Sequence, residues 1–76
     1  MYIHERVEHL INEDNEEIIK EVEGILEDED LIYLIEEHDL VSKIMDYYRE
    51  HGILSEKQKY CLCRAIAEVD YHYGYL

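Results

Sequence analysis

Proline, tryptophan and phenylalanine are absent from this 76-residue chain, and glycine occurs only at Gly24, Gly52 and Gly74. With so few breakers among strong helix formers, the pattern points to an all-α chain. Positive charge is scarce too: seven Lys and Arg stand against twenty Asp and Glu, a formal net charge of −13. Nucleic-acid affinity comes largely from cations that displace phosphate counterions, so direct binding of DNA or RNA is not expected. An anionic membrane surface is disfavoured for the same reason. No apolar run approaches the roughly 20 residues needed to cross a bilayer. The start, Met1-Tyr2-Ile3-His4-Glu5, has neither the basic end nor the apolar stretch of a signal peptide, and a cytoplasmic protein is expected. The two cysteines, Cys61 and Cys63, stand at i and i+2 of a helical stretch, where side chains point to different faces, so reduced thiols are expected.

What is present suits a single small domain. Apolar residues make up 47% of the chain, too many for charge-driven disorder. A chain of this size buries about 60% of its unfolded surface. The core is therefore thin, which leaves room for stabilisation by a partner or by self-association, a homodimer included.

Apolar spacing divides the chain into short helices. Ile3, Val7, Leu10 and Ile11 predict a first helix over about residues 2 to 11. Asn12, Asp14 and Asn15 are candidate N-caps for a second, with Glu16 and Glu17 at the positive end of its dipole. Ile18, Val22, Ile25 and Leu26 form the apolar stripe of that second helix. Glu16, Lys20, Glu23 and Glu27 lie opposite, and Gly24 falls on the polar side. Asp28 or Asp30 can cap a short segment, Leu31 to Ile35, that is apolar all round and reads as helix or strand, central to the core or facing a partner. Residues 38 to 41 mark a break with Asp39 as a cap. Val41, Ile44, Met45 and Tyr48 then define a fourth helix ending at His51-Gly52, with glycine in the usual C′ place. Ser55-Glu56-Lys57-Gln58 is a capping box. Leu62, Ala65, Ile66 and Val69 carry the last helix to about Tyr71. The expected architecture is a compact bundle of four or five short helices.

The charge is unevenly divided. Residues 1 to 39 hold fifteen acids and two bases, a net of −13, whereas residues 40 to 76 hold five of each sign. Glu13/Glu17, Glu17/Glu21 and Glu23/Glu27 are like-charged pairs one helical turn apart, each destabilising by a few tenths of a kcal/mol, and Glu16/Lys20 is the one obvious relief. Such a half can be a solvated surface that maintains solubility. It can also dock on a basic groove, because carboxylates about 5–6 Å apart make a rigid anionic ladder that can stand in for phosphates and steer fast, salt-sensitive association. A dedicated calcium loop is excluded, since neither Asp14 nor Asp28 starts a run with glycine at position 6 and glutamate at position 12.

Other chemistry finds little support. Helical Cys61-x-Cys63 splays its sulfurs, so a zinc site with one of the five histidines is disfavoured and small, partly buried helix residues are the better reading. Nothing marks a base or an oxyanion hole for a cysteine nucleophile, and carboxylates are too numerous for any pair to signal acid–base catalysis. A non-enzymatic protein without cofactor or metal is expected. The eight tyrosines are the only aromatics. Tyr33 and Tyr48 read as packed rings with the hydroxyl at the rim. Tyr71, Tyr73 and Tyr75 alternate beyond the last helical repeat and either fold back on the core or anchor a partner.

A very small, all-helical, strongly acidic chain without catalytic motifs resembles the anti-restriction and anti-CRISPR proteins of bacteriophages, several of which act as nucleic-acid mimics. The resemblance rests on residues 1 to 39; the neutral second half departs from a mimic acidic throughout. Gly52-Ile53-Leu54-Ser55-Glu56-Lys57-Gln58 is similar to helix starts in phage and mobile-element proteins. The resemblance implies an inhibitor, acting in the host cytoplasm, that occupies the basic nucleic-acid channel of a defence or nucleic-acid-processing protein. The candidate partner contacts are Glu13, Glu16, Glu17, Glu23, Glu27, Asp28, Glu29, Asp30, Tyr71, Tyr73 and Tyr75. The alternative is an antitoxin-like or adaptor module working through an apolar, tyrosine-rich surface.

Overall fold

In a computed structural model of the chain, which describes residues 3–72, five helices follow one another: α1 (Ile3–Leu10), α2 (Asn15–Glu27), α3 (Glu29–Ile32), α4 (His38–His51) and α5 (Glu56–His72). No strand occurs among the described residues, and none of these helices is long and apolar enough to cross a membrane. The all-α bundle expected from the composition is what forms.

The last helix is the one around which the others pack. Its buried residues, Leu62, Cys63, Ala65, Ile66, Ala67 and Val69, cover more than half of its circumference at 100° per residue, and three of them are small enough to let neighbouring helices approach closely. α1, α2 and α4 all pack on α5, while α3 packs on α2. Leu10, Ile18, Val22, Met45, Leu62 and Cys63 are the largest fully buried side chains, one or two from each of the four longer helices. Truncating Leu10, Ile18, Met45 or Leu62 to alanine should cost about 2–5 kcal/mol, a large share of what so small a core can supply.

Local chemistry sets the helix ends. Asp28 is the hinge between α2 and α3: its Oδ1 accepts from the amides of Asp30 at 2.9 Å and Leu31 at 3.3 Å. Gly52 closes α4 at φ 70°, a left-handed conformation that glycine adopts without Cβ strain. The capping box forms as its residues require, with the Gln58 amide donating to Ser55 Oγ at 3.1 Å and the Ser55 amide to Gln58 Oε1 at 2.8 Å. Lys59, one turn in, reaches across to the Glu13 carbonyl at 2.6 Å and ties the α1–α2 turn to α5.

Three expectations need correction. Residues 38 to 41 are not a break: α4 starts at His38, and Asp39 lies in its first turn rather than capping it. The helical start costs nothing at Asp39, since a carboxylate is favoured in the first turn. Leu31 to Ile35, open between helix and strand and between core and partner-facing, is helix only as far as Ile32. The turn that follows buries Ile35 at 3% exposure while Tyr33 is thrown outward at 82%. The Tyr33 ring is thus not packed with only its hydroxyl at the rim. Asp14 precedes α2 with extended backbone geometry but without a side-chain capping bond.

Candidate functional site

The acidic residues fall on the outer arc of α2 and on α3, and the reason is the wheel of α2 itself. Ile18, Ile19, Val22 and Ile25 are buried, which turns Glu16, Glu17, Lys20, Gly24 and Glu27 to solvent. Gly24 has open space around it, so its place on this arc follows from the absence of any packing demand. Asp28, Glu29 and Asp30 continue the exposed surface into α3. α2 extends about 20 Å at 1.5 Å per residue, so the carboxylates run along a rod of that length before the Asp28 hinge redirects the chain.

Its members differ in what already holds them. Glu23 sits at the edge nearest α4, with Oε1 3.9 Å from Arg49 Nη2, and Arg49 is shared with Asp46 at 3.2 Å. Asp28 spends one carboxylate oxygen on the α3 amides. The side chains of Glu16, Glu17, Glu27, Glu29 and Asp30 have no ion pair or hydrogen bond among the described residues, and Lys20 is the single base on the arc. Glu13 lies in the α1–α2 turn, where its carbonyl is taken by Lys59.

On the other edge of α2, carboxylates crowd together. Glu21 is exposed as a residue, yet partial burial pushes its carboxyl up from the ordinary 4.5, and the fields of Glu13, Asp70 and Glu17 push the same way against the opposing pull of Arg6. Arg6 is itself engaged with Asp70 at 2.9 Å. The α2 face is therefore a surface where negative charge is in excess of what the chain's own bases neutralise. Surfaces of that kind attract cationic groups and steer encounter with them.

Tyr71 does not join this face, whereas Tyr48 borders a depression with Glu13, Asp14 and Glu16 at the start of α2. Tyr71 is 56% exposed, meets His72 edge-on at 6.0 Å between ring centres, and borders a depression with Ile3, Tyr33 and Leu34 that none of the α2 carboxylates lines. Tyr73 and Tyr75 lie outside the described residues. Cys61 is half-buried and Cys63 buried, both free, and burial pushes the Cys63 thiol up to about 11. Among the described residues no three His, Cys, Asp or Glu side chains converge as a metal would require. One surface feature was not legible as such in the sequence: Leu40, Tyr60 and Arg64 come together beside Glu36 and Glu37 along the outer side of α5. The i, i+4, i+8, i+11 spacing puts Tyr60, Arg64, Glu68 and Tyr71 on one face of α5, but it does not bring Leu40 or Glu36 and Glu37 beside them.

Comparison with protein-family models, curated proteins and solved structures finds no match for the chain. Its residues carry the functional argument alone.

Proposed function

We propose that this protein is a non-enzymatic inhibitor that lays the carboxylate face of α2 and α3 on a basic, nucleic-acid-binding surface of another protein, taking the place of DNA or RNA phosphates. One observation carries the reading: Glu16, Glu17, Glu27, Glu29 and Asp30 are exposed on two successive helices, and their side chains have no ion pair or hydrogen bond among the described residues. Folding gains nothing from such an arrangement. Like charges a helical turn apart cost a few tenths of a kcal/mol per pair, and the bases that could have relieved them are placed in the other half of the chain. A partner rich in Arg and Lys supplies the missing countercharge, and a groove built to bind phosphates presents such a surface. The helix already fixes the backbone from which the carboxylates project, so docking orders only their side chains, at about 0.5–1.5 kcal/mol for each one immobilised.

The test is capture from a bacterial lysate on the immobilised chain, with and without competing double-stranded DNA or RNA, beside a Glu16→Lys, Glu17→Lys, Glu27→Lys variant. The reading expects a captured protein that nucleic acid displaces and that the variant, still helical by circular dichroism, no longer retains. Capture that is indifferent to nucleic acid and to the three reversals would show this face to be merely solvated.

A further inference from the structure

Where the turn after α3 meets the middle of α5, the surface is concave. The depression is shallow, with a volume of about 60 Å³; Ile35, Val41 and Ala65 form its buried floor, and Leu40 and Tyr60, 41% and 46% exposed, stand at its sides. Its polar edge has a defined internal order. Glu68, with a side chain only 13% exposed, takes the Glu36 amide on Oε2 at 3.1 Å and Arg64 Nε on Oε1 at 3.2 Å. That arrangement fastens the α3–α4 turn to α5 and neutralises the one base at the edge. Glu36 and Glu37 then project their own carboxylates with no cation against them among the described residues. On the far side of the Glu36, Arg64 and Glu68 group a second depression opens beside Ile3, Leu34 and Tyr71, so the apolar surface continues along α5. From Tyr60 to Tyr71 this stripe measures about 16 Å, three helical turns.

We infer that this groove is a second docking surface, separate from the α2 face, and that it takes an amphipathic helical segment of another protein whose apolar residues are flanked by Lys or Arg. The apolar side chain of such a segment seats on Ile35, Val41 and Ala65 between Leu40 and Tyr60, in the manner of a helix laid in a hydrophobic groove. Charge decides against a second copy of this chain as occupant. A two-fold dimer sets the same patch against itself, which brings the uncompensated Glu36 and Glu37 of two strongly acidic molecules together. A segment with basic flanks reverses the sign of that interaction and meets the two carboxylates directly. The inference does not rest on the inhibitor reading, because the groove and the α2 carboxylates share no residue.

The test uses the full chain as bait for phage-displayed random peptides long enough for about three to four helical turns. Enriched peptides are expected to carry apolar residues at i, i+3 or i+4 with Lys or Arg at the flanks. Their affinity is expected to fall by about tenfold or more in Tyr60→Ala and in a Glu36→Lys, Glu37→Lys variant, while a Glu16→Lys, Glu17→Lys variant, matched in net charge, binds within about threefold of the parent. Backbone amide shifts of the labelled protein should map to Leu40, Tyr60 and Arg64. No enrichment over background overturns the inference, as does equal weakening by the two charge-matched variants, which would mark unspecific adsorption of cations. Amide shifts at the groove that grow with protein concentration before any peptide is added would assign the surface to a second copy instead.

Discussion

Arg6 and Asp70 are 64 positions apart in the chain, yet Arg6 Nε donates to Asp70 Oδ2 at 2.9 Å with both side chains partly buried. The bond joins the first helix to the last at a point where α1 buries only Val7 and Leu10. A double-mutant cycle with Arg6→Met and Asp70→Asn should return a coupling of about 1 kcal/mol, the scale of a charge-assisted bond that is only partly shielded. The check is the urea midpoint of the four proteins. Additive single effects would show the pair to be idle.

Glu21, beside that pair, gives the pH dependence a definite sign. Burial first, then Glu13, Asp70 and Glu17, make its charged form unfavourable in the folded chain, with Arg6 opposing. The folded state therefore binds this proton more tightly than the unfolded state does. The stability that goes with the bound proton is present below the ordinary carboxyl value of 4.5 and is lost as pH rises through the higher folded value. Glu21→Gln is expected to be more stable than the parent above that window and to converge on it below. Thermal unfolding across the acidic range checks this, and a variant less stable at neutral pH would contradict it.

The cysteines should separate in reactivity. Cys63 is buried with its thiol pushed up to about 11, whereas Cys61, two residues away, is half-buried at the edge of the α5 groove. Since the thiolate is the nucleophile, iodoacetamide at mildly alkaline pH should modify Cys61 first and reach Cys63 only on unfolding. Mass spectrometry of timed samples reads the order, and equal labelling of both would show the α5 core to be open.

The helices could be read from the sequence where one local rule acted alone. The i, i+4, i+7 spacing of Ile3, Val7 and Leu10, the capping box at Ser55 and the glycine at position 52 each name a helix or its end, and the chain follows them. The start of α4 was hidden because Asp39 suits an N-cap and a first turn equally well, so only packing of Val41 and Ile44 on the neighbouring helices fixes the phase. Tyr33 looked like core because its neighbours are apolar; its direction is decided by where α3 stops, a tertiary matter. The exposed carboxylates of α2 follow directly from its apolar stripe. The pairing of Glu23 with Arg49 and the groove at Leu40 and Tyr60 join residues from different helices, and no spacing along one helix encodes such a meeting.

Docking of the α2 and α3 carboxylates on a basic surface, as proposed, would be governed by charge. The most direct test is the affinity for the captured partner as salt is raised, because the screening length falls from about 10 Å at 0.1 M to about 3 Å at 1 M while apolar burial does not weaken. Isothermal titration or surface plasmon resonance should show Kd rising by at least about tenfold over that range. A Kd that stays constant or improves with salt would overturn the proposed charge-driven docking and assign binding to the apolar surface.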